Sequence, residues 1–385
     1  MRFAFDEDQE QLRAAARGFL AAHSSPARVR AAMATDAGWD AAVWRRIGAE
    51  LGWPAVIVPE AYGGIGLGFV ELVALMEEMG ATLLCAPFFS SVCLGASALL
   101  AAGTEEQKQA YLPGIAAGET TATLAWSEPG GRRPDAGAIA AVAERRGEGF
   151  RLRGTKSYVV DGHTAGVLIV AARAPGSAGA DGVSLFVLPA DTPGVGRRLL
   201  PTMDQTRKLA AVTLADVAVP ATALMGAEGG GWPALARTLD RAAVALAAEQ
   251  VGGAGRCLDL SVAYAKERVQ FGRPIGSFQA IKHKCADMLL LVESARSAAY
   301  YAGWAVSVDD PEVPVLAALA RAYCSDAYFR CAAEAIQIHG GVGFTWEYDV
   351  HLYFKRAHAS AVLLGDASHH RERVARALGL GEGGA

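Results

Sequence analysis

The chain predicts an α+β fold in three parts: an N-terminal helical domain over 1–120, a central antiparallel β-barrel or sandwich over 121–230, and a C-terminal four-helix bundle over 231–385. Three observations carry this. Apolar residues recur at spacings of three and four between 6 and 120. From 121 to 225 the pattern breaks into short apolar runs divided by Gly, Pro and Asp clusters, as expected of strands and turns. From 231 the helical period returns, and the run 233–269 would be about 55 Å long as one helix, at about 1.5 Å per residue.

Taken in order, helices are expected over 9–22, 39–51, 69–80, 90–102 and 105–117. Asp6 and Thr104 stand as N-caps, the latter followed by Glu105 and Glu106 in the first turn. The Pro- and Gly-rich stretch from Leu51 to Leu67 enforces a loop. Strands are expected at 121–126, 138–143, 149–160, 166–172, 183–189 and 211–219, with 174–182 as a flexible hairpin tip. Helices over 233–269, 279–307, 312–338 and 366–378 complete the bundle. Much of the 52% hydrophobic content is alanine, which suits long packed helices.

Charge and composition exclude several classes. Against 40 acidic residues stand 36 basic ones, for a net charge of −4, and no basic block is long enough to suggest nucleic acid. The six cysteines, at 85, 93, 257, 285, 324 and 331, form no Cys-x-x-Cys pair and lie in apolar, Ala-rich surroundings, which suggests reduced buried thiols in a cytoplasmic protein. The first residues turn acidic at once and lack a signal-peptide core. No run of about 18 uninterrupted apolar residues predicts a membrane span. His351, His358, His369 and His370 do not combine with a carboxylate in a strong ligand pattern, so no metal is expected.

The most informative stretch is Tyr264-Ala-Lys-Glu-Arg-Val-Gln-Phe-Gly-Arg-Pro-Ile-Gly-Ser-Phe-Gln279. Arg268 offers a fork of donors, Phe271 an aromatic face and Gln279 an amide, a set suited to pyrophosphate, adenine and ribose. A second stretch, Gln337-Ile-His-Gly-Gly-Val-Gly343, places two adjacent glycines after a helix. They either cap that helix or let a ligand approach the backbone closely.

Together these stretches resemble the acyl-CoA dehydrogenase family, and the resemblance extends over nearly the whole chain. It implies that Arg268, Phe271, Gln279, Gln337, Gly340 and Gly341 bind FAD belonging to a neighbouring subunit. Two further matches follow. Trp126-Ser-Glu-Pro-Gly130 resembles the family turn beside the flavin ring, with Trp126 against the flavin and Ser127 offering a donor to its pyrimidine edge. Its continuation differs, because Arg132 and Arg133 replace small residues where substrate threads; they grip CoA phosphates or form a solvated loop. Gly154-Thr-Lys-Ser-Tyr-Val-Val-Asp-Gly162 resembles the flavin-facing strand. Tyr158 keeps the aromatic face, while Val160 replaces a threonine that bonds the flavin edge.

The resemblance implies oxidation of an acyl-CoA thioester to the α,β-enoyl form. A desolvated carboxylate takes the α-proton as hydride leaves the β-carbon. In most of the family that base is a glutamate 24 residues after the first glycine of the pair, which is Leu364 here. In a minority it lies on the long bundle helix at the position of Ala242, followed by an arginine at that of Ala243. Asp366, at a position that usually offers a hydroxyl to the flavin pyrophosphate, is the weak candidate for a substitute base. Glu249, on the face of Ala242, is either a second candidate or a satisfied core glutamate.

The losses are uneven. Residues donated to a neighbour are intact, and those serving the chain's own flavin and substrate are altered. The chain thus resembles the base-lacking subunit of heteromeric, steroid-type bacterial enzymes, whose C-termini are similar to Trp346-Glu-Tyr-Asp-Val-His-Leu-Tyr-Phe-Lys-Arg356. A homo- or hetero-tetramer and an electron-transfer flavoprotein acceptor are implied. The alternatives are a homomeric dehydrogenase with a relocated base and a non-enzymatic acyl-CoA-binding homologue on the same fold.

Overall fold

The computed structural model describes residues 5–131 and 133–380. In chain order it contains α1 (Glu7–His23), α2 (Pro26–Met33), α3 (Ala41–Ala49), α4 (Phe69–Ala81), a π-helical segment (Phe89–Ala96), α5 (Ser97–Ala102) and α6 (Glu105–Ala116). Then come β1 (Ala122–Ala125), β2 (Val142–Arg146), β3 (Gly149–Val160), β4 (Val167–Arg173), β5 (Val183–Pro189), β6 (Val195–Leu200), β7 (Leu209–Pro220) and β8 (Leu224–Met225). The last part holds α7 (Trp232–Glu267), β9 (Val269–Gln270), β10 (Arg273–Pro274), α8 (Gln279–Ser307), α9 (Val313–His339), α10 (Val350–Val362) and α11 (Ala367–Ala377). The helical, sheet and helical-bundle succession expected from the sequence is therefore present. Both expected N-caps form capping boxes: Asp6 accepts from the Gln9 amide and Thr104 from the Gln107 amide, and each glutamine side chain reaches back to the cap backbone.

The chain divides into two compact units. One combines Met1–Ala31, Phe69–Leu84 and Ala243–Ala385. Its helices pack through small residues. Ala295, Ala299 and Ala302 of α8 and Ala317, Ala320 and Ala327 of α9 are all buried. Where α4 crosses α7 the backbones nearly touch: a Cβ on Gly252 would lie 1.8 Å from the Glu77 carbonyl oxygen, and one on Gly80 2.0 Å from that of Glu249. Only glycine permits that approach. The buried carboxylates of Glu77 and Glu78 on α4 are neutralised within the unit. Arg17 grips Glu78 through two nitrogens at 2.7 and 3.1 Å, and Arg296 and Tyr300 donate to Glu77. The bundle has one helix beyond the four expected. That helix, α10, buries Val350, Leu352, Tyr353, Arg356, Ala357 and Ser360; its His, Lys and Arg residues mask the apolar period in the sequence. The short α2 was also not foreseen.

The other unit is Ala32–Gly68 with Cys85–Ala242. Its eight-stranded sheet runs β6-β7-β3-β2-β4-β5-β8, with β1 added beside β4. The expected all-antiparallel arrangement needs correction, since β1 pairs parallel to β4 from Ala122↔Val167 to Ala125↔Val170. Strand β2 also lies further on than expected, ending on exposed arginines, and forms a tight hairpin with β3 in which Arg146 faces Gly149. Strand β6 escapes the sequence pattern because Arg197 and Arg198 interrupt its alternation. It is an edge strand, where such charges discourage pairing with another chain. The sheet core centres on Phe150 and Phe186, in edge-to-face contact at 5.0 Å, with Leu152, Leu168 and Val212 around them. Among the described residues, no helix is long and apolar enough to cross a membrane, and no group of three or more His, Cys, Asp or Glu could hold a metal ion.

Candidate functional site

In the helical unit, the end of α7 turns into the β9–β10 hairpin through Phe271 and Gly272. A two-residue hairpin of this kind needs positive φ at both central positions, and they have +52° and +79°. Glycine adopts that conformation freely, whereas a phenylalanine is strained there. Phe271 is also 90% exposed, its ring edge-on to that of Phe278 with centroids 6.1 Å apart. The main chain of Arg268 is fixed, its amide bonded to Tyr264 and its carbonyl accepting from Ile275, both at 2.8 Å. Its exposed guanidinium has no hydrogen bond or ion pair among the described residues. Gln279 opens α8, exposed, with a long 3.5 Å contact to His283.

The second motif lies close by, because the Tyr264 ring stacks on His339 at 4.3 Å and Tyr348 meets both edge-on. Gln337 is exposed near the end of α9. Gly340 has φ 65° and ψ −143°, a combination essentially confined to glycine. Gly341 has no such constraint, and a Cβ there would meet nothing within 4 Å. Neither backbone strain nor packing inside the chain accounts for a glycine at 341. An open cradle of this kind fits a group supplied from outside the chain.

In the sheet unit, Trp126 is 9% exposed at the end of β1. The Ser127 hydroxyl donates to the Gly131 carbonyl at 2.9 Å, so it is engaged in shaping its own turn. Tyr158 sits in a β-bulge of β3 with φ +57° and is 45% exposed. Bulges re-aim side chains in this way. Val160 is buried, and its carbonyl accepts from Thr123 at 2.6 Å. Of the two loop arginines, Arg132 lies outside the described residues and Arg133 is exposed. Sequence reasoning missed the ion pair beneath this surface. Lys156, fully buried, donates to Glu128 at 2.5 Å. Burial pushes its ammonium down to about 8 while the Glu128 carboxylate holds it up. The lysine's place in a strand and the glutamate's in a turn were legible; their pairing across 28 residues was not.

At the positions where a base is expected, Leu364 is buried with φ +61°, and Ala242 and Ala243 are buried in α7. The Asp366 carboxylate accepts from the His369 amide at 2.8 Å as the N-cap of α11, a structural task that explains it without a catalytic one. Glu249 is a core glutamate, bonded by Arg356 at 3.0 Å. Two buried donors hold the segment around Leu364. Arg321 reaches the Ser360 and Leu363 carbonyls, and the His370 ring bonds the Leu364 carbonyl at 3.0 Å. A carbonyl only accepts, so the His370 proton is assigned to Nε2.

Burial, reinforced by the charges of Arg321, His369 and Arg373, pushes the His370 imidazole down to about 3. The unfolded imidazole titrates at about 6.5. Between those values the unfolded chain binds a proton that the folded chain refuses, so this contribution to stability is full above about pH 6.5 and is lost as pH falls toward 3. Urea unfolding midpoints should therefore drop between pH 7 and pH 4.5. In His370→Gln, whose amide can still donate to Leu364, the drop should be shallower; equal slopes in the two proteins would contradict this.

Comparison with known proteins gives the class. Family models described as the N-terminal, middle and C-terminal domains of acyl-CoA dehydrogenase match residues 6–119, 123–217 and 229–379. The chain belongs to the acyl-CoA dehydrogenase family, whose members are FAD-dependent flavoproteins. Among particular proteins, it is 36% identical over 369 residues to the acyl-CoA dehydrogenase IpdE2 of Mycolicibacterium smegmatis, covering 96% of this chain and 98% of that one. It resembles the solved ChsE4-ChsE5 complex of Mycobacterium tuberculosis at TM-score 0.89 and 28% identity, covering all of both chains (100% each). Butyryl-CoA dehydrogenase of Megasphaera elsdenii gives TM-score 0.92 and 28% identity, covering 98% of this chain and 100% of that chain.

Proposed function

We propose that this chain is the base-lacking subunit of a heteromeric acyl-CoA dehydrogenase, which completes the FAD site of a neighbouring subunit. The observation that carries the reading is the contrast between two sets of positions. Arg268, Phe271, Gln279, Gln337, Gly340 and Gly341 are all exposed, and a Cβ at Gly341 would meet nothing within 4 Å, so packing does not account for the glycine there. The base positions hold Leu364 and Ala242, and Asp366 is committed to capping α11. A carboxylate at that helix N-terminus also disfavours a phosphate there.

In this reading Arg268 grips pyrophosphate, Phe271 packs on adenine, and Gln279 and Gln337 bond phosphate or ribose, while Gly340 and Gly341 let the dinucleotide approach the main chain. Trp126, Ser127 and Tyr158 line the flavin-facing edge of the sheet unit. When bound, FAD supplies the hydride acceptor for α,β-dehydrogenation of an acyl-CoA. Association is supported by apolar side chains left exposed on the bundle: Leu289 and Leu290 of α8, and Leu319, Tyr323 and Phe329 of α9. A tetramer, with an electron-transfer flavoprotein as electron acceptor, fits this surface and the family. That one similar structure is a complex, ChsE4-ChsE5, favours a partner of a different sequence.

The test is flavin content. Arg268→Ala should lower FAD occupancy of the purified assembly, measured by absorbance, with the far-UV circular dichroism unchanged because an exposed donor contributes little to the core. Full flavin retention in that variant would reject the assignment of Arg268.

A further inference from the structure

We propose that the buried Lys156–Glu128 pair is a positioning device for the flavin-facing edge: it clamps the turn 126–131 to β3 and holds Tyr158 outward in its left-handed conformation. The inference rests on reading Tyr158 and Ser127 as flavin-facing.

One carboxylate oxygen organises three pieces of chain. Glu128 Oε1 accepts from Lys156 Nζ at 2.5 Å, from the Ala140 amide at 2.9 Å and from the Ala141 amide at 2.8 Å. Lys156 Nζ also lies 3.4 Å from the Trp126 carbonyl, and the Ser157 amide donates to the Ser127 carbonyl at 2.9 Å. The Ser127 hydroxyl closes the turn on Gly131. The turn, the 140–141 segment and β3 are thus fixed to one another immediately before the register shift between Lys156 and Val159. Tyr158 lies within that shift, strained and 45% exposed.

Burying an ammonium and a carboxylate is costly, and an apolar pair of similar volume commonly gives equal or greater stability. What the ions add is direction. A carboxylate oxygen can fix two amides and an ammonium at once, and two aliphatic side chains can fix none of them. Positioning groups held by buried hydrogen bonds are the usual means of keeping a side chain within a fraction of an ångström of its working place.

The decisive variant is therefore the double replacement Lys156→Met with Glu128→Leu. It removes both charges together and leaves neither uncompensated. We expect it to fold with a lowered melting temperature, because the Ala140 and Ala141 amides lose their acceptor. In the FAD-free protein, amide exchange in 126–131 and 156–159 should accelerate by about tenfold or more, as protection from local opening is lost. In the FAD-loaded assembly, quenching of flavin fluorescence and the shape of the flavin absorption bands should change. Lys156→Met alone, which leaves Glu128 bonded to the two amides, is the second variant and should show the same exchange signature confined to 156–159. A folded variant with parental exchange and a parental flavin spectrum would overturn the proposal. The exchange measurement judges the clamp without FAD. If the parent binds no FAD with any partner, the functional reading fails separately.

Discussion

Supplied with FAD and acyl-CoA, the chain on its own is expected to bleach flavin about 10²–10⁴ times more slowly than an assembly containing a glutamate-bearing family partner, the range typical of losing a positioned base. The physical reason is local. Leu364 and Ala242 carry no proton acceptor, Asp366 is bonded as a helix cap, and Glu249 is held by Arg356 in the core. Asp366→Asn sharpens the test, because asparagine caps a helix about as well as aspartate and removes only the carboxylate. It should leave the restored rate nearly unchanged. Leu364→Glu should raise the rate of the chain alone, since its main chain is already held by His370 and Arg321 and tolerates φ +61° with a side chain present. Rapid anaerobic bleaching by the chain alone, abolished by Asp366→Asn, would instead make Asp366 the base.

Glu249→Ala should destabilise the protein by about 3–5 kcal/mol, the usual cost of leaving a buried charge without its partner. The Glu249 and Arg356 side chains are 6% and 3% exposed and 3.0 Å apart, so the pair is shielded from bulk solvent. Replacing both, as Glu249→Leu with Arg356→Met, should recover most of the loss. Urea unfolding of the two variants measures this directly. A loss under about 1 kcal/mol in Glu249→Ala would show that the pair behaves as an exposed one and would reopen Glu249 as a carboxylate free for chemistry.

What the sequence made legible follows the range of the forces involved. The caps at Asp6 and Thr104 were readable because a side chain bonds an amide three residues on. The long α7 was readable from its period alone. The parallel pairing of β1 with β4 was not, since its partners lie 45 residues apart and nothing local distinguishes parallel from antiparallel for a four-residue strand. At the site, motifs named Arg268, Phe271 and the glycines, but only the structure gives the exposure of Phe271, its positive φ and the open space at Gly341. Likewise the sequence left Asp366 open as a base, and only the structure shows its carboxylate accepting from the His369 amide as the N-cap of α11.

The most direct test of the account is native mass spectrometry of this chain, purified alone and after co-expression with a family chain that carries glutamate at the position of Leu364. The account predicts a mixed tetramer that retains FAD, and little FAD on this chain alone. A homotetramer of this chain with FAD in every subunit, unaffected by the second chain, would contradict it.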